Sequence, residues 1–341
     1  MLTAWLQFII GAILVIIAGV TLTRSADTLG KAFGLSAGWA GVLILPIATS
    51  LPELVSSVRA ALILAPDLAV GNLFGSNLFN IAIIAIIDLV QGKGSLFHRL
   101  KEGHAMAASL SIVLLSIAAL GLLLPFPAIL GSPIGLDTLL LLFCYLAAAR
   151  LITVYEKSTI SSSGLNVDEA AEEFAKEKQT LLSKPKPALL SFIIAASVIL
   201  FAGTYLTDAS DVIALETGLG RTFVGSIFLA IATSLPEVVT TSTAARMGKL
   251  DMAVGNVFGA NMYNMFILGV IDIVYLPGPL LRAVHPEHLL TVLMCVVLTA
   301  LAITGLVNRS KRAVGLFGID SLVIVCGYVI AVAVLFFIRA G

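Results

Sequence analysis

Ala48-Thr49-Ser50-Leu51-Pro52-Glu53 recurs as Ala232-Thr233-Ser234-Leu235-Pro236-Glu237, and Gly71-Asn72-Leu73-Phe74-Gly75-Ser76-Asn77 recurs as Gly255-Asn256-Val257-Phe258-Gly259-Ala260-Asn261. The offset is 184 residues throughout (237 minus 53), and from Ala48 to Asp88 against Ala232 to Asp272 the ungapped alignment holds 21 identities in 41 positions. The chain is therefore an internal duplication. Each copy places a proline, two hydroxyls and a glutamate within stretches otherwise apolar enough for a bilayer, where ionisable groups are costly and mark functional sites.

Of 341 residues, 59% are hydrophobic and 12% charged, against roughly 25% charged in a soluble domain. This composition describes an integral, multi-pass membrane protein whose surroundings are the lipid bilayer. No nucleic acid and no obligatory protein partner are expected. About 20 apolar residues cross a bilayer as a helix. That window places ten spans near 3–23, 36–62, 67–90, 104–124 and 133–155, then 187–207, 218–247, 251–276, 287–307 and 313–338. The first lacks a basic leading region and a small-residue cleavage site, so it reads as a retained helix rather than a signal peptide. Cys144, Cys295 and Cys326 fall in apolar spans without CxxC spacing and read as small buried side chains.

With ten spans the connections alternate between two faces. One face carries sixteen of the twenty Lys and Arg residues; the other carries Arg59, Arg221, Arg282 and Arg339. By the positive-inside rule the richer face is cytoplasmic, which places both termini outside and suits a cell (plasma) membrane. Five helices per repeat is an odd number, so the second copy enters the membrane from the opposite side. The expected fold is an all-α membrane protein, ten transmembrane helices as two inverted five-helix repeats. Repeat one covers 1–155, a polar cytoplasmic connector 156–186, and repeat two 187–341. Asp168 to Gln179 within the connector reads as a short solvated helix. Inverted repeats characterise secondary transporters, whose site lies at mid-membrane where the repeats meet.

Pro52 removes an amide hydrogen from the second span and crowds the carbonyl of Ala48; Pro236 does the same to Ala232. Beside these freed carbonyls stand Thr49 and Ser50, or Thr233 and Ser234, and just past each proline stands Glu53 or Glu237. Carbonyl, hydroxyl and carboxylate oxygens are the donor set of a hard cation such as Ca²⁺ or Na⁺. One such motif would read as a kinked helix with a glutamate satisfied by a serine. Two, brought to the same depth by a pseudo-two-fold axis, read as one shared cation site, since two empty adjacent carboxylates repel.

On the third span Asn72, Ser76 and Asn80 share a helix face, as do Asn256, Ala260 and Asn264 on the eighth. Their amide oxygens suit an ion or a facing carboxylate. Asn77 and Asn261 point elsewhere and suit helix-to-helix hydrogen bonds. Gly71, Gly75, Gly255 and Gly259 permit close backbone approach. Asp88 and Asp272, and Asp27 and Asp211 just before the second and seventh spans, read as caps or partners of basic loops. His98, His104, His285 and His288 lie in loops or at span ends without metal-ligand companions.

These motifs resemble the Ca²⁺/cation antiporter superfamily, in its sodium/calcium exchanger family, whose two alpha-repeats carry T-S-x-P-E on one helix and G-N-x-x-G-S-N-x-x-N on the next. The likeness runs from Gly19 to Asp88 and from Gly203 to Asp272. It implies a ten-helix exchanger whose central metal ligands match Glu53, Glu237, Asn80 and Asn264; no enzymatic activity and no cofactor are expected. Thr49, Ser50, Ser76, Thr233 and Ser234 would surround them, with the carbonyls of Ala48 and Ala232. Two positions depart from the pattern. Sodium/calcium exchangers often carry an acid at one of the positions held here by Asn80 and Asn264, and Ala260 stands where a serine would match Ser76. The central site then holds at most two negative charges, enough for one Ca²⁺, two Na⁺ or two protons, whereas three Na⁺ would leave excess charge in low dielectric.

The expected function is secondary antiport of Ca²⁺ against a monovalent cation, Na⁺ favoured. The alternative is Ca²⁺/H⁺ exchange through protonation of Glu53 and Glu237. A cation channel with a glutamate selectivity ring is the remote alternative. A membrane enzyme finds no nucleophile with a base and no HExxH motif.

Overall fold

The computed structural model describes residues 2–32, 42–43, 45–92, 95–100, 103–124, 126–129, 132–162, 185–218, 221–314 and 317–339. The first repeat contributes α1 (Leu2–Ala32), α2 (Leu45–Thr49), α3 (Leu51–Leu62), α4 (Pro66–Gln91), α5 (Gly103–Leu123) and α6 (Leu136–Ser162). The second contributes α7 (Pro185–Thr217), α8 (Arg221–Val224), α9 (Ala230–Thr233), α10 (Leu235–Arg246), α11 (Leu250–Val274), α12 (His288–Asn308) and α13 (Ile319–Arg339). A two-residue hairpin, β1 (Ala313–Val314) and β2 (Phe317–Gly318), precedes α13. Among the described residues nine helical segments are long and apolar enough to cross a membrane. The tenth expected span, 36–62, is the broken pair α2 and α3, and residues 33–41 and 44 lie outside the described set. So do residues 163–184, which include the expected Asp168 to Gln179 helix.

Helices α1 and α7 outrun their expected spans. α7 has 33 residues, about 50 Å at 1.5 Å per residue against a hydrocarbon core of about 30 Å. Asp27 and Asp211 consequently fall inside α1 and α7 rather than in connections ahead of the next helices. The two long helices pack on each other, and each also covers the broken helix of the opposite repeat: α1 lies on α10, and α7 on α3. Their outer faces present Ile9, Ile13, Ile17, Ile193 and Phe201 to the surroundings, as expected where lipid replaces water as the contact.

The centre belongs to α4 and α11, each 78% buried along its apolar window, against 28% for α1 and α7. α5 and α12 pack around them. Close approach at the centre requires glycine. A Cβ on Gly75 would lie 2.1 Å from the carbonyl oxygen of Ser226, and one on Gly259 would lie 2.3 Å from that of Val42. Both facing backbones are wound as π-helix, at Gly225–Leu229 and at residues 42–43. This local widening often accompanies functional sites.

The turn joining α3 to α4 repeats between α10 and α11. Leu64 N–H bonds the Ala61 carbonyl and Ala65 N–H the Ala60 carbonyl, at 3.1 and 2.9 Å; Gly248 and Lys249 make the same pair with Ala245 and Ala244, at 2.9 Å each. This is the Schellman closure, which needs a left-handed residue. Gly248 meets the requirement at φ 77°, but its counterpart Leu64 adopts φ 57° with a side chain 61% exposed. A left-handed leucine costs roughly 1–2 kcal/mol, and Leu64 returns little of it in packing. The substitution Leu64→Gly is expected to stabilise the protein by about 1 kcal/mol, less the extra unfolded-chain entropy of glycine. Thermal unfolding in detergent measures it, and a lower melting temperature would contradict the strain.

Candidate functional site

The two proline motifs break their helices in the same way. α2 ends at Thr49, Ser50 takes φ −87° and ψ 17°, and α3 restarts at Leu51 with Pro52 in its first turn. α9 ends at Thr233, Ser234 takes φ −82° and ψ 7°, and α10 restarts at Leu235. Flanking bonds survive, from Ser50 N–H to the Pro46 carbonyl at 2.9 Å and from Leu54 N–H to the Ser50 carbonyl at 3.1 Å. The bond from position 52 to Ala48 has no donor, because proline carries no N–H. Each break aims its serine across the repeat boundary.

Ser50 Oγ donates to Glu237 Oε1 at 2.9 Å, and Ser234 Oγ donates to Glu53 Oε1 at 3.0 Å. Ser76 Oγ lies a further 3.4 Å from Glu53 Oε1; Ala260 gives Glu237 no matching hydroxyl. All of these residues are fully buried. Each glutamate keeps its second oxygen, Oε2, without a hydrogen-bond partner among the described residues, and so do Asn80 and Asn264 with their Oδ1 atoms. Four buried acceptors left empty, two formally anionic, cost several kcal/mol unless a cation or protons satisfy them. Carboxylate and amide oxygens are the donor types that a hard cation takes.

The other polar residues of the motifs divide by role. Thr233 Oγ1 donates to Asn72 Oδ1 at 2.9 Å, and Thr49 Oγ1 approaches Asn256 Oδ1 at 3.4 Å. Asn72 Nδ2 donates to Ser57 Oγ at 3.1 Å, and Asn256 Nδ2 reaches Thr240 and Thr241, each at 3.2 Å. These two asparagines thus spend their amides holding the broken helices, although they share a helix face with Asn80 and Asn264. Asn77 and Asn261 make the helix-to-helix bonds expected of them, each donating to the other's backbone carbonyl at 3.4 and 3.1 Å.

Asp88 and Asp272 are loop anchors. Asp88 accepts N–H groups from Leu96 and Gly318 at 2.8 and 2.6 Å. Asp272 accepts from Gly135 at 3.0 Å and from the Thr138 hydroxyl. Each carboxylate therefore ties its helix end to the opposite repeat. Among the cysteines, Cys295 is buried as expected, whereas Cys326 is exposed on the outer helix α13.

The histidines require a correction. His104 Nε2 lies 3.0 Å from Asp251 Oδ1, and His288 Nε2 lies 3.1 Å from Asp67 Oδ1. Both therefore have carboxylate companions, supplied across the repeat boundary. The signal was present in the sequence, since His104 and His288, like Asp67 and Asp251, stand at the same 184-residue offset. The partners are distant in the chain, 147 and 221 residues away.

A bundle of two inverted five-helix repeats, with polar broken helices meeting at its centre, defines a secondary transporter. The sequence profile of the family described as "Sodium/calcium exchanger protein" matches residues 3–154 and 187–337, and the chain belongs to that family. It is accordingly a transporter of the exchanger class and not an enzyme. The inner membrane protein YrbG of Escherichia coli (strain K12) is 26% identical over 341 residues, covering 99% of this chain and 98% of that protein. The sodium/calcium exchanger MaX1 of Methanosarcina acetivorans is 26% identical over 301 residues, covering 80% of this chain and 83% of its own. A solved structure of the sodium-calcium exchanger NCX_Mj, soaked with Na⁺ and Sr²⁺, superposes with a TM-score of 0.65 at 19% identity, covering 97% of both chains. That likeness bears on the fold.

The His288 and Asp67 pair yields a test of its structural weight. His288→Leu and Asp67→Leu should each lower the unfolding temperature in detergent. Removing Asp67 leaves the fully buried His288 without its carboxylate, whereas Asp67, 30% exposed, keeps the His285 N–H at 2.6 Å; the double variant should lose less than the sum, with a coupling of about 0.5–3 kcal/mol. Strictly additive losses would show that the two side chains do not stabilise one another.

Proposed function

We propose that the protein is a secondary active antiporter that exchanges Ca²⁺ for a monovalent cation, Na⁺ in the favoured reading. The observation that carries this is the set of four unpartnered buried oxygens: Oε2 of Glu53 and Glu237, and Oδ1 of Asn80 and Asn264. Ser50 and Ser234 donate their hydroxyl hydrogens to the outer carboxylate oxygens, which leaves hydroxyl lone pairs available to the same ion. Thr49, Thr233, Ser76 and the carbonyls of Ala48 and Ala232 complete the surroundings on this reading. The names of MaX1 and NCX_Mj as sodium/calcium exchangers support Ca²⁺ and Na⁺ as the pair.

The charge of the site supports a second reading. Two carboxylates balance one Ca²⁺, and they are equally balanced by two Na⁺ or two protons. Asn264 supplies no third acid, so Ca²⁺/H⁺ exchange through protonation of Glu53 and Glu237 competes with sodium coupling. A channel is disfavoured because the site residues are sealed from solvent on all sides, as alternating access requires of an intermediate state.

Movement would come from α1 and α7. Neither contributes an atom to the four-oxygen set, and their glycines meet the prolines closely: a Cβ on Gly203 would lie 3.2 Å from Pro52 Cα, and one on Gly19 would lie 3.5 Å from Pro236 Cα. Sliding α7 would break the Arg59 to Asp208 pair at 3.2 Å and the Ser56 to Gly203 carbonyl bond at 3.1 Å. The charge asymmetry supports termini outside and a cytoplasmic 156–186 connector between repeats 1–155 and 187–341. The membrane on this reading is the cell membrane.

The test is ⁴⁵Ca²⁺ uptake into proteoliposomes loaded with Na⁺, or separately with an outward H⁺ gradient. Uptake driven by sodium is expected; uptake driven by protons alone would transfer the assignment to the second reading. Glu53→Gln and Glu237→Gln should each reduce exchange by at least about a hundredfold, since each removes an anionic ligand from low dielectric, while leaving the protein monodisperse. Wild-type rates in either variant would take that residue out of the site.

A further inference from the structure

An asparagine that serves a cation must present its oxygen, yet the oxygen and nitrogen ends of the amide are nearly the same size. Packing cannot choose between them; hydrogen bonds must. At Asn80 and Asn264 the choice is made by the other two asparagines at the centre. Asn80 Nδ2 donates to Asn261 Oδ1 at 3.0 Å, and Asn264 Nδ2 donates to Asn77 Oδ1 at 2.9 Å. The opposite end of each amide, Oδ1, is left unpartnered.

Asn77 and Asn261 are themselves locked. Asn77 Nδ2 donates to the Asn261 backbone carbonyl at 3.4 Å, and Asn261 Nδ2 donates to the Asn77 carbonyl at 3.1 Å. If Asn77 turned over, its nitrogen would face Asn264 Nδ2 and its oxygen would face a carbonyl, a donor against a donor and an acceptor against an acceptor. The polarity therefore runs one way from main chain to site: carbonyl, Asn77 or Asn261 amide, Asn264 or Asn80 nitrogen, free oxygen. All four side chains are fully buried on α4 and α11, so water offers no substitute donor or acceptor in this interior.

We propose that Asn77 and Asn261 are positioning residues of the central site, each orienting the opposite repeat's Asn264 or Asn80 so that an oxygen and not an amide nitrogen faces the ion. The inference rests on the reading of Asn80 and Asn264 as Ca²⁺ ligands. Asparagine is the side chain that fits the role. Aspartate would accept from the neighbouring nitrogen but could not donate to the opposite carbonyl, and leucine would do neither. A role confined to gluing α4 to α11 would be met by the bonds of Asn77 and Asn261 to the opposite backbone carbonyls, whichever end of the Asn264 amide faced the ion. It would leave ion affinity untouched.

The experiment uses purified full-length protein, with ⁴⁵Ca²⁺ binding at equilibrium, initial exchange rates in proteoliposomes, and thermal unfolding. Asn77→Leu is expected to weaken Ca²⁺ affinity about tenfold, the scale of one lost orienting hydrogen bond, with maximal rate reduced less than affinity. A carboxylate has no nitrogen end to misdirect, so in the Asn264→Asp background the addition of Asn77→Leu should change affinity by less than about twofold. Asn261→Leu with Asn80→Asp should repeat the pattern. If a leucine variant does not fold, Asn77→Ser, too short to reach Asn264, is read in its place. Equal losses of affinity in both backgrounds, or a fall in unfolding temperature and rate with affinity unchanged, would overturn the positioning role. Wild-type protein that fails to bind ⁴⁵Ca²⁺ would instead remove the calcium reading on which it rests.

Discussion

Pro52 and Pro236 have no amide hydrogen to give the carbonyls of Ala48 and Ala232, and hydrocarbon offers no water to take its place. Each helix breaks one residue after a threonine, and the serine left at the break is free to reach across the repeat boundary. Its hydroxyl fixes one oxygen of the opposite glutamate and leaves the other empty. The geometry of the two carboxylates thus follows from two prolines that contact no ion. The same prolines present a surface on which glycines of α1 and α7 can rest closely, so the feature that shapes the site also shapes its contact with the long covering helices.

A fully buried polar centre is expensive in a membrane protein, and here almost every group has an assigned partner. Asn72 and Asn256 hold the threonines before the breaks, Asn77 and Asn261 hold the amides of Asn264 and Asn80, and Asp88 and Asp272 hold loop N–H groups. Among the described residues of the two repeated motifs, four oxygens remain: Oε2 of Glu53 and Glu237 and Oδ1 of Asn80 and Asn264. That so much is satisfied makes the exceptions informative, because in a native interior an orphaned acceptor usually has a ligand or a proton to receive. The inverted repeat supplies the economy: one arrangement of side chains, used twice, closes around a shared centre. Its imperfections, Ala260 opposite Ser76 and Leu64 opposite Gly248, distinguish the halves chemically.

The duplication, the span count and the broken helices were legible because they leave strong local signals: apolar windows, a proline inside one, and a repeated register. The paired glutamates followed from symmetry. The division of labour among the asparagines did not. Asn72 and Asn80 lie on one helix face and look equivalent at a spacing of eight, yet one amide is consumed by Ser57 and Thr233 and the other is half free. Which partner lies opposite is set by how α4 packs on α3, α9 and α11, and no spacing within one helix encodes that. The His104 and His288 pairings were hidden for the same reason, being contacts between repeats. The lengths of α1 and α7 were underestimated because a hydropathy window ends where charges begin, whereas an isolated Asp27 or Asp211 does not stop a helix.

The histidine and aspartate pairs join α5 to α11 and α12 to α4, one pair toward each side of the membrane, while the asparagines join α4 to α11 in the middle. Stitched at three depths, those four helices form a single block into which both halves of the gene are sewn. Rocking one half against the other would have to break these polar seams, the asparagine one in a fully buried interior. The seams thus bind α4, α5, α11 and α12 into one unit drawn from both halves of the gene, with α1 and α7 packed outside it.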